Sequence, residues 1–164
     1  MKTWLDSLGS ELHKNHLKAL GYRKVRRTFS RDMGGYVERF NLQASWNAPG
    51  LKQWSYFVNV GVEFNDLPKK ENWFGQPNVH WSQRIESILE NVRDIGRYSE
   101  RSNPTEQAIK LARYISESSE IVGKEILGIR EHSLNAREWE PYPFGTEGLN
   151  GLRKHIWRVL NNLR

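Results

Sequence analysis

Hydrogen-bonding side chains recur at alternate positions along three segments that the sequence predicts to be neighbouring strands. They are Arg26, Arg39, Asn41, Gln43, Ser45, Asn59 and Glu63. Because successive side chains of a strand point to opposite faces of its sheet, we expect this set to project from one face. Asparagine is depleted in strands, so its recurrence here favours a preorganised surface for a protein partner or a small anionic ligand. The alternative is a water-facing sheet, or a layer beneath the last helices whose amides are satisfied internally.

The common catalytic motifs are absent from the sequence. It contains no Gly-rich phosphate loop, no His-Glu-x-x-His zinc motif and no Gly-x-Ser-x-Gly motif. The residues nearest to a restriction-type nuclease pattern lack its spacing; they are Glu63, Asp66, Lys69 and Lys70. His13 and His16 lie one helical turn apart but have no third ligand nearby, and there is no cysteine. We therefore predict no catalytic residue, no metal site and no cofactor, with an enzyme of unrecognised type as the least favoured alternative.

The net charge of +6 is concentrated in two segments. Residues 21–31 contain five basic residues and no acid, and residues 149–164 contain four and no acid. Clustered cations attract an acidic protein, a nucleic acid or an anionic surface. The charge thus favours an acidic protein partner, with nucleic-acid binding by the basic hairpin and the basic C-terminal helix as the alternative.

Strand pairing is predicted from the Gly34-Gly35 pair, which separates two β-rich runs at 22–31 and 36–46 and is typical of a two-residue hairpin. The register that follows pairs Arg31 with Glu38, Phe29 with Phe40, Arg27 with Leu42, Val25 with Ala44 and Arg23 with Trp46. Residues 53–64 alternate between apolar and mostly polar positions, which predicts a third strand with one buried side.

Three helices are predicted from apolar periodicity. The first begins at Thr3 with Gly21 as its C-cap, the second runs from Pro104 to Gly128, and the last covers 149–163. Residues 79–98 fit either a helix or a strand followed by an irregular segment. The fold class is therefore α+β: an antiparallel meander of three or more strands, packed on one face by N-terminal and C-terminal helices, in a single domain over 1–164.

Five sequence segments resemble the bacterial family known as domain of unknown function 4304. They are Leu20-Gly21-Tyr22-Arg23-Lys24, Thr28-Phe29-Ser30-Arg31, Phe40-Asn41-Leu42-Gln43-Ala44-Ser45, Phe57-Val58-Asn59-Val60-Gly61 and Arg84-Ile85. The resemblance is best over residues 1–90, and residues 91–103 depart from the family pattern. It implies an α+β fold and a bacterial origin, and it carries no established activity.

The function expected from these observations is a non-catalytic module that recognises a protein partner, as an immunity or defence-associated protein. The contact surface is expected to be the polar sheet face together with Trp73 and Phe74, which lie on a predicted loop. A plug of these two aromatics over a core edge is the alternative. No apolar run is long enough to span a membrane, so a cytoplasmic location is expected. The sequence does not indicate an oligomeric state.

Overall fold

A computed structural model of the chain describes residues 2–45, 53–65, 79–90, 92, 95–99 and 101–133. Within them the chain forms α1 (Lys2–Leu12), a π-helical turn (His13–Leu17), β1 (Arg23–Val25), β2 (Thr28–Asp32), β3 (Tyr36–Ala44), β4 (Gln53–Phe64), β5 (Trp81–Arg84), a 3-10 turn (Ile85–Ser87), β6 (Arg97–Ser99) and α2 (Pro104–Ser133). The strands form one antiparallel sheet, which confirms the α+β class.

The sheet has the strand order β1-β2-β3-β4-β5, with β6 also paired to β4. The twelve residues of β4 make this possible, because β5 pairs with Asn59–Val62 and β6 with Gln53–Ser55. Residues 79–98 therefore contain a strand, a 3-10 turn and a second short strand, so the strand alternative is confirmed for this range.

The diglycine hairpin is confirmed. Arg31 lies opposite Glu38, and Phe29 lies opposite Phe40. The Met33 N–H donates to the Tyr36 carbonyl at 2.9 Å, which closes the turn around the diglycine. Gly34 has a φ of +89°, a conformation that glycine adopts without a Cβ clash.

The prediction of one continuous strand over residues 22–31 is wrong. The chain reverses direction at Arg26 and Arg27 and forms two paired strands, β1 and β2. Val25 therefore pairs with Thr28 instead of Ala44. Similarly, Arg23 pairs with Ser30 instead of Trp46, which lies outside the described residues. Arg26 has a φ of 54°, and no glycine, asparagine or aspartate marks this turn. The Arg27 guanidinium lies 2.6 Å from the Asp6 carboxylate, an ion pair that links the turn to α1.

The first helix begins at Lys2, next to the predicted Thr3, and α2 begins at the predicted Pro104 but continues to Ser133, past the predicted end at Gly128. Gly21 has a φ of +86°, and the Tyr22 N–H donates to the Leu17 carbonyl at 3.1 Å, which is the Schellman geometry of a glycine C-cap. The Asn103 side chain accepts the Thr105 N–H at 2.9 Å and caps α2. The predicted helix over 149–163 lies outside the described residues, as does most of the predicted loop over 65–77.

The core lies between one face of the sheet and the two helices. The sheet contributes buried aromatic and β-branched residues such as Phe40, Tyr56 and Val60, and α1 and α2 contribute leucine and isoleucine stripes. Gly9 of α1 lies against Phe29 and Leu42 of the sheet. We call the face of the sheet that packs against α1 and α2 the inner face. None of the described helices combines the length and apolar character needed to cross a membrane.

Candidate functional site

The outer face of the sheet, opposite the face that packs against α1 and α2, carries two rows of side chains across five strands. Strand register aligns the members of each row. The first row is Val25, Thr28, Asn41, Asn59 and Arg84. The second row is Arg23, Ser30, Arg39, Gly61 and Ser82. Arg97 of β6 lies opposite Ser55 and belongs to the same face, so four guanidinium groups project from it, one each from β1, β3, β5 and β6.

Most of the predicted binding residues lie together on the outer face. They are Arg39, Asn41, Gln43, Asn59 and Glu63. Ser45 follows β3 and donates its backbone N–H to the Ser55 carbonyl at 2.9 Å. Arg26 is not part of the face, because it occupies the turn between β1 and β2. Trp73 and Phe74 lie outside the described residues.

The amide side chains of the outer face bond to one another and to a hydroxyl. The Asn41 amide donates to the Thr28 hydroxyl at 2.9 Å, and the Asn59 amide donates to the Gln43 carbonyl oxygen at 2.9 Å. The sequence analysis offered as an alternative that these amides form hydrogen bonds within the protein. Asn41, Gln43 and Asn59 each form one such bond. The pairs fix the side-chain orientations, and Gln43 is still exposed. A surface that is held in one arrangement loses less conformational entropy when it binds.

The arginines of this face differ in their partners. Arg39 forms an ion pair with Glu63, which is mostly buried. Arg84 is exposed, and its guanidinium carbon lies 3.7 Å from the centroid of the Phe57 ring, a cation–π contact. The sequence analysis did not identify Arg84 as a site residue. The sequence feature that could have indicated Arg84 is the outward position of Phe57 in β4. That feature points to Arg84 only when β5 is known to lie beside β4.

A buried polar cluster lies on the inner face, between β2, β3 and α2. It consists of Tyr22, Arg31, Glu38 and Ser119. One oxygen of Glu38 accepts the Tyr22 hydroxyl at 2.6 Å and the Ser119 hydroxyl at 3.0 Å, with an Arg31 nitrogen at 3.4 Å. The other oxygen has no hydrogen-bond partner among the described residues. The predicted register already paired Arg31 with Glu38, but no motif indicated that Ser119 joins them, because it is 81 residues from Glu38.

Burial controls the ionisation of this cluster. Desolvation raises the pKa of Glu38 above its ordinary value, against the opposing effects of the two hydroxyls and of Arg31. Burial and the neighbouring carboxylate also raise the pKa of Tyr22 far above its ordinary value. Arg31 lies 4.6 Å from the centroid of the Tyr22 ring and supplies the positive charge of the cluster. The arrangement links the sheet to α2 through hydrogen bonds and an ion pair.

Replacing Glu38 by glutamine is expected to flatten the pH dependence of stability. The folded protein keeps a proton on Glu38 over a pH range in which the unfolded chain releases it, because the folded-state pKa is raised. The resulting stabilisation is complete below the ordinary glutamate pKa of 4.5 and is lost as pH rises through the folded-state pKa. Urea unfolding from about pH 4 to about pH 8 measures the slope in both proteins. Parallel profiles would contradict the prediction.

Comparison with known proteins identifies the family. The model of the family described as domain of unknown function (DUF4304) matches residues 13–161. No curated protein and no solved structure matches the chain. Within the described residues, no group of three His, Cys, Asp or Glu side chains is arranged to hold a metal ion.

Proposed function

Because the chain belongs to this family of unknown function, DUF4304, we propose a function from the geometry of the sheet: a non-catalytic module that recognises a protein partner through its outer face. The observation that supports the proposal is the pair of five-residue rows. They place exposed arginine and valine side chains and half-buried amides on the face opposite α1 and α2. As parts of the same proposal, the protein acts in the bacterial cytoplasm as an immunity or defence component.

The chemistry of the outer face favours an acidic partner surface. Among the described residues its cations are Arg23, Arg39, Arg84 and Arg97, and its carboxylates are Asp32 and Glu63. Arg39 is paired with Glu63, and the exposed cations of this face are Arg23, Arg84 and Arg97. Val25 is 70% exposed in the same row as Arg84 and adds an apolar contact. Arginine beside aromatic and apolar groups is the composition typical of interface hot spots.

Nucleic-acid binding is less favoured because two of the five cations of the basic hairpin have protein partners. Arg27 is paired with Asp6, and Arg31 with Glu38. Binding to phosphates weakens steeply with salt. Titration with a generic oligonucleotide at about 50 and about 200 mM salt therefore distinguishes this alternative, since affinity through phosphate contacts must fall by orders of magnitude between the two.

The triple variant Gln43→Ala, Asn59→Ala, Arg84→Ala is expected to keep its fold and to lose the partner. These side chains are at least partly exposed and lie outside the core. Affinity capture from the native host, read by quantitative mass spectrometry, measures recovery of the partner. We expect Arg84→Ala alone to lower affinity at least about tenfold, or about 1.4 kcal/mol, because an aromatic-stacked arginine is a typical hot spot.

Arg113→Ala is the matched control. Arg113 is also exposed and lies over an aromatic ring, at 5.4 Å from the centroid of Tyr114, but it belongs to α2 instead of the outer face. Its replacement should leave recovery of the partner unchanged. Equal recovery by the wild type and the triple variant would reject the outer face, and a nuclease-sensitive interaction would favour nucleic acid.

A further inference from the structure

Two exposed arginines of the outer face lie on neighbouring strands to either side of the position of Phe57. Strands β5 and β6 both pair with β4, and they place Arg84 opposite Asn59 and Arg97 opposite Ser55. Phe57 lies midway between these two positions of β4, on the same face. The backbones that carry the two arginines are therefore about 13 Å apart along β4, since a strand rises about 3.3 Å per residue.

The charges of these two arginines are available to an occupant. Neither Arg84 nor Arg97 forms an ion pair within the described part of the chain. The guanidinium carbon of Arg84 lies 3.7 Å from the centroid of the Phe57 ring. Stacking uses the face of the guanidinium and leaves its in-plane N–H groups to bond with a carboxylate. Two such cations favour an acidic occupant.

The opposite end of the outer face is partly covered by the chain itself. A Cβ on Gly61 would lie 2.7 Å from a side-chain carbon of Val79, so Val79 packs directly onto the sheet at this point. Arg39, which lies opposite Gly61, is engaged in an ion pair. The surface for an occupant is therefore the end of the face around Phe57, where Gln43 is exposed.

The layers of the fold favour a helix as the occupant. Both described helices, α1 and α2, pack on the inner face, and a sheet can bury a helix on each of its faces. Residues i and i+7 of a helix lie on one side of it, about 10.5 Å apart at about 1.5 Å per residue. This spacing fits two arginines whose backbones are about 13 Å apart, because the guanidinium of Arg84 lies over Phe57, toward Arg97.

We propose that the outer face binds an acidic amphipathic helix of the partner protein. Carboxylates at positions i and i+7 of that helix bond to Arg84 and Arg97, and an apolar residue at i+4 packs beside Phe57. A second copy of this chain does not fit through α1 or α2, because neither helix carries two carboxylates seven residues apart. The inference rests on the proposed function and adds the shape and charge spacing of the partner.

The probe is a helical peptide of about twenty residues, built on alanine and glutamine, with glutamates at i and i+7 and leucine at i+4. The comparison peptide has the same composition with glutamates at i and i+5, which places them on different sides of the helix. Each is titrated into the full chain and followed by amide chemical shifts. We expect saturable shifts at Gln43, Phe57 and Asn59, and at least about tenfold tighter binding of the first peptide, a difference of about 1.4 kcal/mol.

Charge exchange at Arg97 tests the ion pairing directly. Arg97 is exposed and lies outside the core, so Arg97→Glu should fold, and it should bind the first peptide at least about tenfold more weakly. One of the two peptides in which a single glutamate is replaced by lysine should restore binding to this variant. The matched control is Arg113→Glu on α2, which changes the net charge equally and should keep affinity within about twofold.

Three results would overturn the helix assignment. They are the absence of saturable shifts on the outer face, equal affinity for the two glutamate spacings, and unchanged affinity in Arg97→Glu. Capture of the partner from the native host tests the proposed function separately. If Arg84→Ala loses the partner while the two spacings bind equally, the outer face recognises a protein but the helical spacing is wrong. If Arg84→Ala keeps the partner, the proposed function itself fails.

Discussion

Arg31→Met is expected to destabilise the folded protein by about 3 kcal/mol at neutral pH. Glu38 is fully buried, and the change removes the cation that pairs with it among the described residues. Removing one partner of a buried ion pair typically lowers the free energy of unfolding by about 3–5 kcal/mol. The lower end applies because Glu38, whose pKa burial already raises, can take up a proton and limit the penalty. Urea unfolding at pH 7 measures the free-energy difference.

Two further variants separate the charge effect from loss of packing. In the double variant Arg31→Met with Glu38→Leu, the cluster no longer contains a buried charge, so most of the lost stability should return. The matched control is Arg23→Met, an exposed arginine of the same hairpin, and its effect should stay within about 0.5 kcal/mol. A double variant as unstable as Arg31→Met would show that the guanidinium acts through its contacts with Tyr22 and Ser119.

Local sequence signals predicted the features of the sheet that depend on neighbouring residues. The diglycine fixed the β2–β3 register, and strict alternation identified the buried side of β4. The turn at Arg26 was missed because the sequence offers no residue that favours a positive φ there. This turn depends on tertiary contacts instead, such as the ion pair between Arg27 and Asp6.

The candidate sites depended on contacts between distant segments, which sequence spacing does not encode. Alternation placed Asn41, Gln43 and Asn59 correctly on one face. It could not show that Gln43 and Asn59 bond to each other across β3 and β4, or that β5 adds Arg84 beside them. The buried polar cluster likewise required α2 to pack against the sheet, so the bond from Ser119 to Glu38 became visible only in three dimensions.

Gly96→Ala is expected to cost at least about 3 kcal/mol. Gly96 has a φ of +101°, and a Cβ there would overlap the Tyr56 carbonyl oxygen. The Tyr56 N–H also donates to the Gly96 carbonyl at 2.7 Å, so the two backbones are held together where β6 joins β4. The overlap involves backbone on both sides, and a side-chain rotation cannot relieve it. Urea unfolding and amide exchange at β6 measure the loss.

Gly34→Ala provides the matched comparison for this prediction. Gly34 has a similar φ of +89°, but a Cβ there would meet nothing within 4 Å. Its replacement should therefore lower the free energy of unfolding by about 1 kcal/mol, the cost of placing a residue with a Cβ in the left-handed backbone conformation. The difference between the two variants isolates the steric overlap at the β4–β6 junction. If both lost the same stability, backbone conformation alone would explain Gly96, and the close approach to Tyr56 would have no energetic role.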